Sequence, residues 1–564
     1  MEIRDDDAGR SPHGAVRAIE PSVEQSNRLS LERIESLIAI ALTLALVALH
    51  VNLLCNAGPL WRDEICSLAT ATKPSWAAFR AALILDPCPV FLFALLRVWH
   101  SIFGGKDFAL RILGFLIGLS CIGAIWISAR LTTHRTPTLA LLLLGFCSTQ
   151  IVWGDTLRGY GLGVLFTVMT FALFWCVIER PRPSNIALAT IAATLSVQSL
   201  YSTALLVFAC GISAAIVAIR RGQAARSLIV VAIGVVAALS LLPYVSIMHQ
   251  TTEWASLLRV NFSLRSSFGM LARGLYGGGS MFFWAWAALA VVAVIAAVVV
   301  QKKSSEHRAD YPPCDLTLYA LISGVLGFIA TMAFFRAVGW GTNIWYYLPM
   351  LAVAALAIDA ALNFRGVISG ARAAIALIVV LSCSPILFAR SEMRASNLDL
   401  VAHVVERKAA PDDLVIVYPW VDAATFKRYF HGKTPWFSLP VIPEGGIETP
   451  EEYLAVFRRP DGIQPLIDQV DRTLKAGHSV WLSSSWPEKI PEQPPRNVLP
   501  LGTTERQPIG YYFHGWGQLL LYHLRSHTDR VSQVDVPCDQ PISAYEHSHL
   551  ISCSGWREPA PQAP

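Results

Sequence analysis

Up to about residue 390 the apolar positions fall in long blocks rather than with a period of two or 3.6, and the polar positions collect in short breaks between them. At ~1.5 Å rise per residue, roughly 20 consecutive apolar residues cross a hydrocarbon core. Eleven runs are read as spans: 36–55, 108–129, 137–153, 160–178, 186–202, 203–219, 228–247, 281–300, 316–335, 344–362 and 373–389. The stretch 185–219 contains no charged residue, and as one helix it would be roughly 50 Å long, so it is folded into a hairpin near Gln198 to Tyr201. After residue 390 the long blocks stop. Strand-like runs (DLVIVYPW at 413–420, SVWLSSSW at 479–486, GQLLLYHL at 517–524) alternate with helical ones (DAATFKRYF at 422–430, TPEEYLAVFRR at 449–459 and the segment from Ile463), which predicts a small soluble α/β domain. The predicted fold is mostly α: a polytopic helix bundle over 36–389, preceded by a polar segment 1–35 and followed by the α/β domain 390–564.

Composition agrees, with 54% hydrophobic and only 15% charged residues. The net charge of +5 is spread over short loops and excludes a basic nucleic-acid surface. The first 34 residues are polar and the first apolar run has no A-x-A-like exit, so that run is expected to stay as a helix rather than be removed as a signal peptide. Charge placement orients the chain. With the N-terminus inside, the inner loops carry Arg130 and Arg135, Arg180 and Arg182, Arg220, Arg221 and Arg226, Lys302, Lys303 and Arg308, and Arg365 and Arg372, while the short outer loops are nearly bare. This is the positive-inside asymmetry, and it puts the C-terminal domain outside. Residues 89–103 are too short for a span and contain Arg97 and His100, so they are read as a helix in the interface within a long outer loop, 56–107. Residues 74–85 form a second such segment.

The chemistry-bearing residues cluster at the outer ends of the spans. WRDEICSLA puts Asp63 and Glu64 just after the first span, DPCPVFLF follows at Asp86, Arg111 opens the second span in FALRILGFL, and WGDTLRGYGLGVL carries Asp155, Arg158 and Tyr160 at the outer end of the third. This ordered set resembles the C-type glycosyltransferase superfamily, and within it the protein mannosyltransferase and lipid A aminoarabinose transferase group. The resemblance covers roughly residues 36–220. The sequence departs from the group's pattern at Cys88, Val90 and the hairpin turn QSLYSTA, positions that bear on substrate identity more than on reaction type.

The resemblance implies an inverting transfer of a sugar from a polyprenyl-phosphate carrier to an envelope glycan, lipid or protein, on the outer face of a bacterial plasma membrane, without cofactor or metal. Such a reaction needs a base for the acceptor and a cation for the phosphate. Asp63 is assigned as the base, with Glu64 as the alternative; adjacent residues on a helix diverge by ~100°, so one of the pair faces the site and the other is free to hold an Arg. Arg158 is the candidate phosphate ligand, with the competing reading that it pairs with Asp155 three residues away. Arg273 and Arg336 in other outer loops are candidate helpers, and Asn343, Tyr346 and Tyr347 could reach the sugar or form an aromatic belt. Asp86 contacts the donor or orients the loop, Arg111 closes an ion pair at a span end, and Asp359 is read as an interface charge near the inner end of its span. Eleven cysteines show no C-x-x-C spacing, and Cys538 and Cys553 could form a disulfide in the outer tail. A transporter or lipid flippase, or a polysaccharide polymerase or ligase, is the rival reading. Transporters usually place charge near the midplane and often show repeats, whereas these charges lie at one rim.

Overall fold

The computed structural model describes residues 20–86, 88–250, 262–306, 312–339, 341–363, 367–441, 450–485, 490–502 and 508–558. Residues 1–19, Pro87, Arg308 and Arg365, named above, lie outside the described residues. Helix α1 (Glu20–Asn56) carries the first apolar run, and the outer loop holds α2 (Arg62–Ala71), α3 (Trp76–Leu85) and α4 (Val90–Phe103). Ser75 caps α3 by accepting from the Ala78 N–H at 3.1 Å, and α4 ends at Gly104, whose φ of +80° suits glycine. Both segments predicted to form interface helices are therefore helical.

The bundle continues with α5 (Asp107–Thr132), then α6 (Thr138–Ala140), which runs into a π-helical turn at Leu141–Gly145, and α7 (Ser148–Gly154). Next come α8 (Gly159–Glu179), α9 (Pro183–Val197) and α10 (Thr203–Arg220), with the hairpin turn where the missing charge demanded it. The remaining helices are α11 (Ala224–Leu239), α12 (Val245–Gln250), α13 (Leu264–Tyr276), α14 (Ser280–Glu306), α15 (Pro312–Val338), α16 (Leu348–Ala361) and α17 (Val367–Ser391). Among the described residues, nine helices are long and apolar enough to cross a membrane. The runs at 137–153 and 186–202 correspond to the broken pair α6–α7 and to the shorter α9.

Helices α8 and α16 form the centre of the bundle, with Val164, Val168, Phe171 and Phe174 buried against Leu348, Ala352 and Ala355. Around them α1, α11, α14 and α17 expose Leu37 and Leu44, Leu228 and Leu239, Ile295 and Val298, and Leu381. An apolar belt of this extent is stable only where lipid covers it. At one end Arg372 bridges Asp359 at 2.9 Å and Glu35 at 3.3 Å, and Asp359 also accepts from the Leu139 and Ala140 backbone N–H groups. Asp359, read above as an interface charge, is a buried anchor joining α6, α16 and α17.

Glycines set the spacing at the opposite end. A Cβ on Gly114 would lie 1.8 Å from the Asp155 carbonyl oxygen, one on Gly118 1.9 Å from Asp155 Oδ1, and one on Gly161 2.1 Å from the Gly154 carbonyl oxygen. Only small residues allow α5, α8 and the turn at 154–155 to approach so closely.

The C-terminal unit is built on a five-stranded sheet, β1 (Leu414–Tyr418), β2 (Trp436–Ser438), β3 (Val480–Ser484), β4 (Arg530–Val534) and β5 (His549–Ser554), in the order β2-β1-β3-β5-β4. Strands β2, β1 and β3 run parallel, and β3, β5 and β4 are antiparallel. Strands β1 and β3 are buried along their whole length, as parallel strands covered on both faces are. Leu414, Ile416 and Tyr418 face α20 (Pro450–Arg458), α21 (Gln464–Lys475) and α22 (Ile509–His527); Val415 and Val417 face α18 (Leu398–Lys408) and α19 (Ala423–Tyr429). The run 517–524, expected as a strand, lies inside α22. Its neighbours explain why: Tyr512, Phe513, Trp516, Leu520, Leu521 and Leu524 make one buried helical stripe, which the eight-residue window cuts short. Cys538 and Cys553 are free thiols.

Gly118→Ala is expected to lower the thermal midpoint of the purified protein in detergent by forcing α5 from Asp155, at a cost of roughly 1–3 kcal/mol. Gly123→Ala on the same helix, where a Cβ meets nothing within 4 Å, is expected to leave it unchanged.

Candidate active site

The outer end of the bundle is organised around Glu64, the third residue of α2. One carboxylate oxygen accepts from the Trp61 N–H at 3.1 Å, which caps the helix; the other accepts from Arg111 Nη1 at 2.7 Å and from the Leu157 N–H at 3.0 Å. Arg111 also donates through Nη2 to the Pro59 carbonyl at 2.6 Å. Glu64 is fully buried, and burial pushes its carboxyl above the ordinary value while Arg111 and the two N–H groups pull it back. These contacts fasten α2 to α5 and to the turn before α8.

With Glu64 turned inward, Asp63 points elsewhere on the first turn of α2, and its side chain is 32% exposed. Arg62 Nε stands 3.6 Å from its Oδ1. Arg158, the residue before α8, lies beside it and donates to the Asp63 carbonyl at 3.4 Å and to Ser67 Oγ at 2.8 Å. Its main partner is Asp86 at the end of α3: Nη1 and Nη2 fork onto Oδ2 and Oδ1 at 2.5 and 3.0 Å. Burial disfavours the charge, yet Asp86 holds the guanidinium well above its ordinary value, so Arg158 stays a cation.

The suggested Arg158–Asp155 pair does not form. Asp155 instead meets His50 of α1 at 2.7 Å, both side chains buried, because the turn at 155–158 takes the two residues off a common helical face. His50 escaped the sequence reading, although an ionisable residue inside an apolar run is a recognised signal of function.

Tyr160 is buried near Arg158, and Tyr346 lies half-buried next to it, with ring centroids 6.0 Å apart. Behind them stands an aromatic wall: Trp153 and Trp345 centroids are 4.0 Å apart, Trp61 is 5.1 Å from Trp153, and Tyr545 of the C-terminal unit packs 4.9 Å from Trp345. A small open cleft borders this wall, lined by Leu53, Trp61, Arg111, Trp153, Asp155 and Arg394 among others. Nothing local in the sequence marked Trp61, Trp153, Trp345 and Tyr545 as neighbours. Arg273 and Arg336 are exposed on α13 and α15, and among the described residues neither has a hydrogen bond or ion pair to this cluster. The structure therefore gathers Asp63, Glu64, Asp86, Arg158, Tyr160 and Tyr346, sets Asp155 behind them, and leaves the two outer arginines aside. Among the described residues no group of three or more His, Cys, Asp or Glu could hold a metal ion.

The sequence model of the dolichyl-phosphate-mannose-protein mannosyltransferase family matches residues 75–247, which include Asp86, Arg111, Asp155, Arg158 and Tyr160. No curated protein sequence matches the chain. In overall fold the chain is similar to the crystal structures of ArnT from Cupriavidus metallidurans. The apo state gives a TM-score of 0.52, and the form bound to undecaprenyl phosphate gives 0.50; in each the identity is 13% over 92% of this chain and 97% of ArnT. The matched segment, the shared fold and the nine apolar helices among the described residues together support placing this chain with the membrane proteins of the C-type glycosyltransferase superfamily.

Proposed function

We propose that this protein transfers a sugar from a polyprenyl-phosphate-linked donor to a glycolipid, polysaccharide or protein acceptor on the outer face of the membrane, with inversion at the anomeric carbon. The observation that carries this reading is the adjacency of a partly exposed carboxylate, Asp63, and a fixed cation, Arg158, at the rim of an apolar bundle. In the reaction the acceptor oxygen attacks the anomeric carbon from the face opposite the phosphate. The bond from that carbon to the phosphate oxygen breaks, its electron pair stays with the polyprenyl phosphate, and Asp63 takes the acceptor's proton. Arg158 offsets the charge that grows on the phosphate. Asp86 fixes the guanidinium plane through two N–H groups, and the Nε edge, which that fork does not use, is available to a phosphate oxygen.

Tyr160 and Tyr346 stand where a hydroxyl can meet the sugar or the leaving phosphate. Glu64 has a supporting role in this scheme, because both of its oxygens are engaged within the protein. Undecaprenyl phosphate, bound in one of the ArnT structures, is the carrier that this reading favours. The outward orientation rests on the basic inner loops, so reporter fusions at Arg182, Arg221 and Lys303 are expected to report the inside and a reporter in the C-terminal unit the outside. Reporters on opposite assignments would remove the reading.

Transfer is assayed with purified full-length protein in detergent, a panel of undecaprenyl-phosphate-linked hexoses and pentoses, and envelope extract as acceptor. Asp63→Asn is expected to lower turnover by ~10²–10⁴, the usual loss for a general base, with donor affinity nearly unchanged. Wild-type turnover in that variant would exclude Asp63 as base. Glu64→Gln is expected instead to lower the amount of folded protein, since breaking a buried pair costs roughly 3–5 kcal/mol. Arg158→Ala is expected to abolish transfer and Arg158→Lys to restore it only in part, because one ammonium cannot fork onto two oxygens. Equal activity of both with wild type would leave Arg158 a purely structural partner of Asp86.

A further inference from the structure

The C-terminal unit reaches the loop that carries Asp63 at several points. Ala395 donates its N–H to the Ala57 carbonyl at 2.8 Å, Gln540 donates to Asn56 at 2.8 Å, and the Leu60 N–H donates to the Tyr429 hydroxyl at 2.9 Å. Arg428 pairs with Asp107 at 2.5 Å. These contacts are enough to dock the unit on the bundle. One further group of contacts falls on Arg62, the residue before Asp63, and it has a different character because it buries charge.

The Arg62 N–H donates to Glu546 Oε2 at 3.0 Å, and Arg62 Nη1 lies 3.6 Å from Asp422 Oδ1. Glu546 and Asp422 are both fully buried. The same guanidinium stands 3.6 Å from Asp63, so one cation is shared between a carboxylate of the C-terminal unit and the carboxylate assigned as base. Two buried carboxylates on one arginine are a costly arrangement for an interface that other contacts already hold. Burial raises both carboxyls, Asp422 to about 6 and Glu546 above its ordinary value, the Asp422 charge adding to the effect at Glu546 while Arg62 pulls both back.

We propose that Glu546 and Asp422 are positioning residues for transfer: by holding the backbone and the guanidinium of Arg62, they set the aim of Asp63. This rests on the reading of Asp63 as the base. Glu546 fixes the first turn of α2 from the outside, as Glu64 fixes it from the inside. Asp422 draws the Arg62 guanidinium toward the C-terminal unit and keeps it from closing fully on Asp63, which would neutralise the base. The C-terminal unit is in this way part of the catalytic geometry rather than a cover over it.

The test uses the full-length protein in detergent and two readouts. The first is the rate of alkylation by N-ethylmaleimide of Cys66, exposed one turn after Arg62 on α2, followed by mass spectrometry without substrate. The second is transfer with the undecaprenyl-phosphate sugar panel. Glu546→Ala is expected to speed Cys66 labelling several-fold and to lower kcat about 10- to 100-fold, the scale of a small misplacement of a reacting group, with the donor KM unchanged. Glu546→Gln, which keeps a carbonyl oxygen for the Arg62 N–H, is expected to behave as wild type in both. If Glu546→Ala does not fold, Glu546→Asp, which withdraws the carboxyl by one methylene, serves in its place. Wild-type labelling and kcat in the Ala or Asp variant, or a Gln variant as impaired as Ala, would overturn the positioning role alone. Asp63→Asn at the wild-type rate would instead overturn the assignment of the base, and this proposal with it.

Discussion

A carboxylate that never meets water holds the outer end of this protein together. Glu64 takes an N–H from its own helix start, a guanidinium from α5 and an N–H from the turn before α8, and Arg111 returns a second hydrogen bond to the Pro59 carbonyl. Burial of an ion pair is repaid only when every remaining donor and acceptor finds good geometry. The carboxylate meets that condition on both oxygens, and its engagement fixes where the rest of the rim sits. Because adjacent helical residues diverge by ~100°, locking Glu64 inward decides that Asp63 looks outward.

From that lock the candidate site follows. Arg158 emerges one residue beyond Leu157, which Glu64 holds, and meets Asp86 from a loop 72 residues earlier. The glycines of α5 let the turn at Asp155 press against the helix, and the same turn sends Asp155 to His50 rather than to Arg158. The aromatic wall joins the outer loop, two helices and the C-terminal unit in a single layer, so the soluble unit and the bundle share one packing problem. At the other end of the bundle Arg372, Asp359 and Glu35 repeat the principle with buried charges that tie helices and leave none unpaired.

Much of the architecture was legible in the chain because its causes are local. Block length against bilayer thickness marked the nine long apolar helices found among the described residues, a chargeless stretch too long for one crossing marked the hairpin, and a short charged block marked the loop helices. The places where the reading fell short are those where a local signal is ambiguous. GQLLLYHL is a short, mostly apolar run of eight residues that fits a strand or a helix, and only the buried stripe from Tyr512 to Leu524 decides for helix. The break inside 137–153 lies in a run of leucines that carries no breaker before Gly145.

The sequence by itself determined that this chain is built for a membrane, which residues could do acid, base and phosphate chemistry, and in what order they come along it. It could not assign their partners. Whether Arg158 forks onto Asp86 or Asp155, which of Asp63 and Glu64 faces inward, and that Asp422 and Glu546 reach back to Arg62 were decided only when helices distant in sequence were packed together. Hydrophobic block length is a property of the solvent acting on a local segment, whereas an ion pair depends on distance and burial, which exist only in the folded bundle.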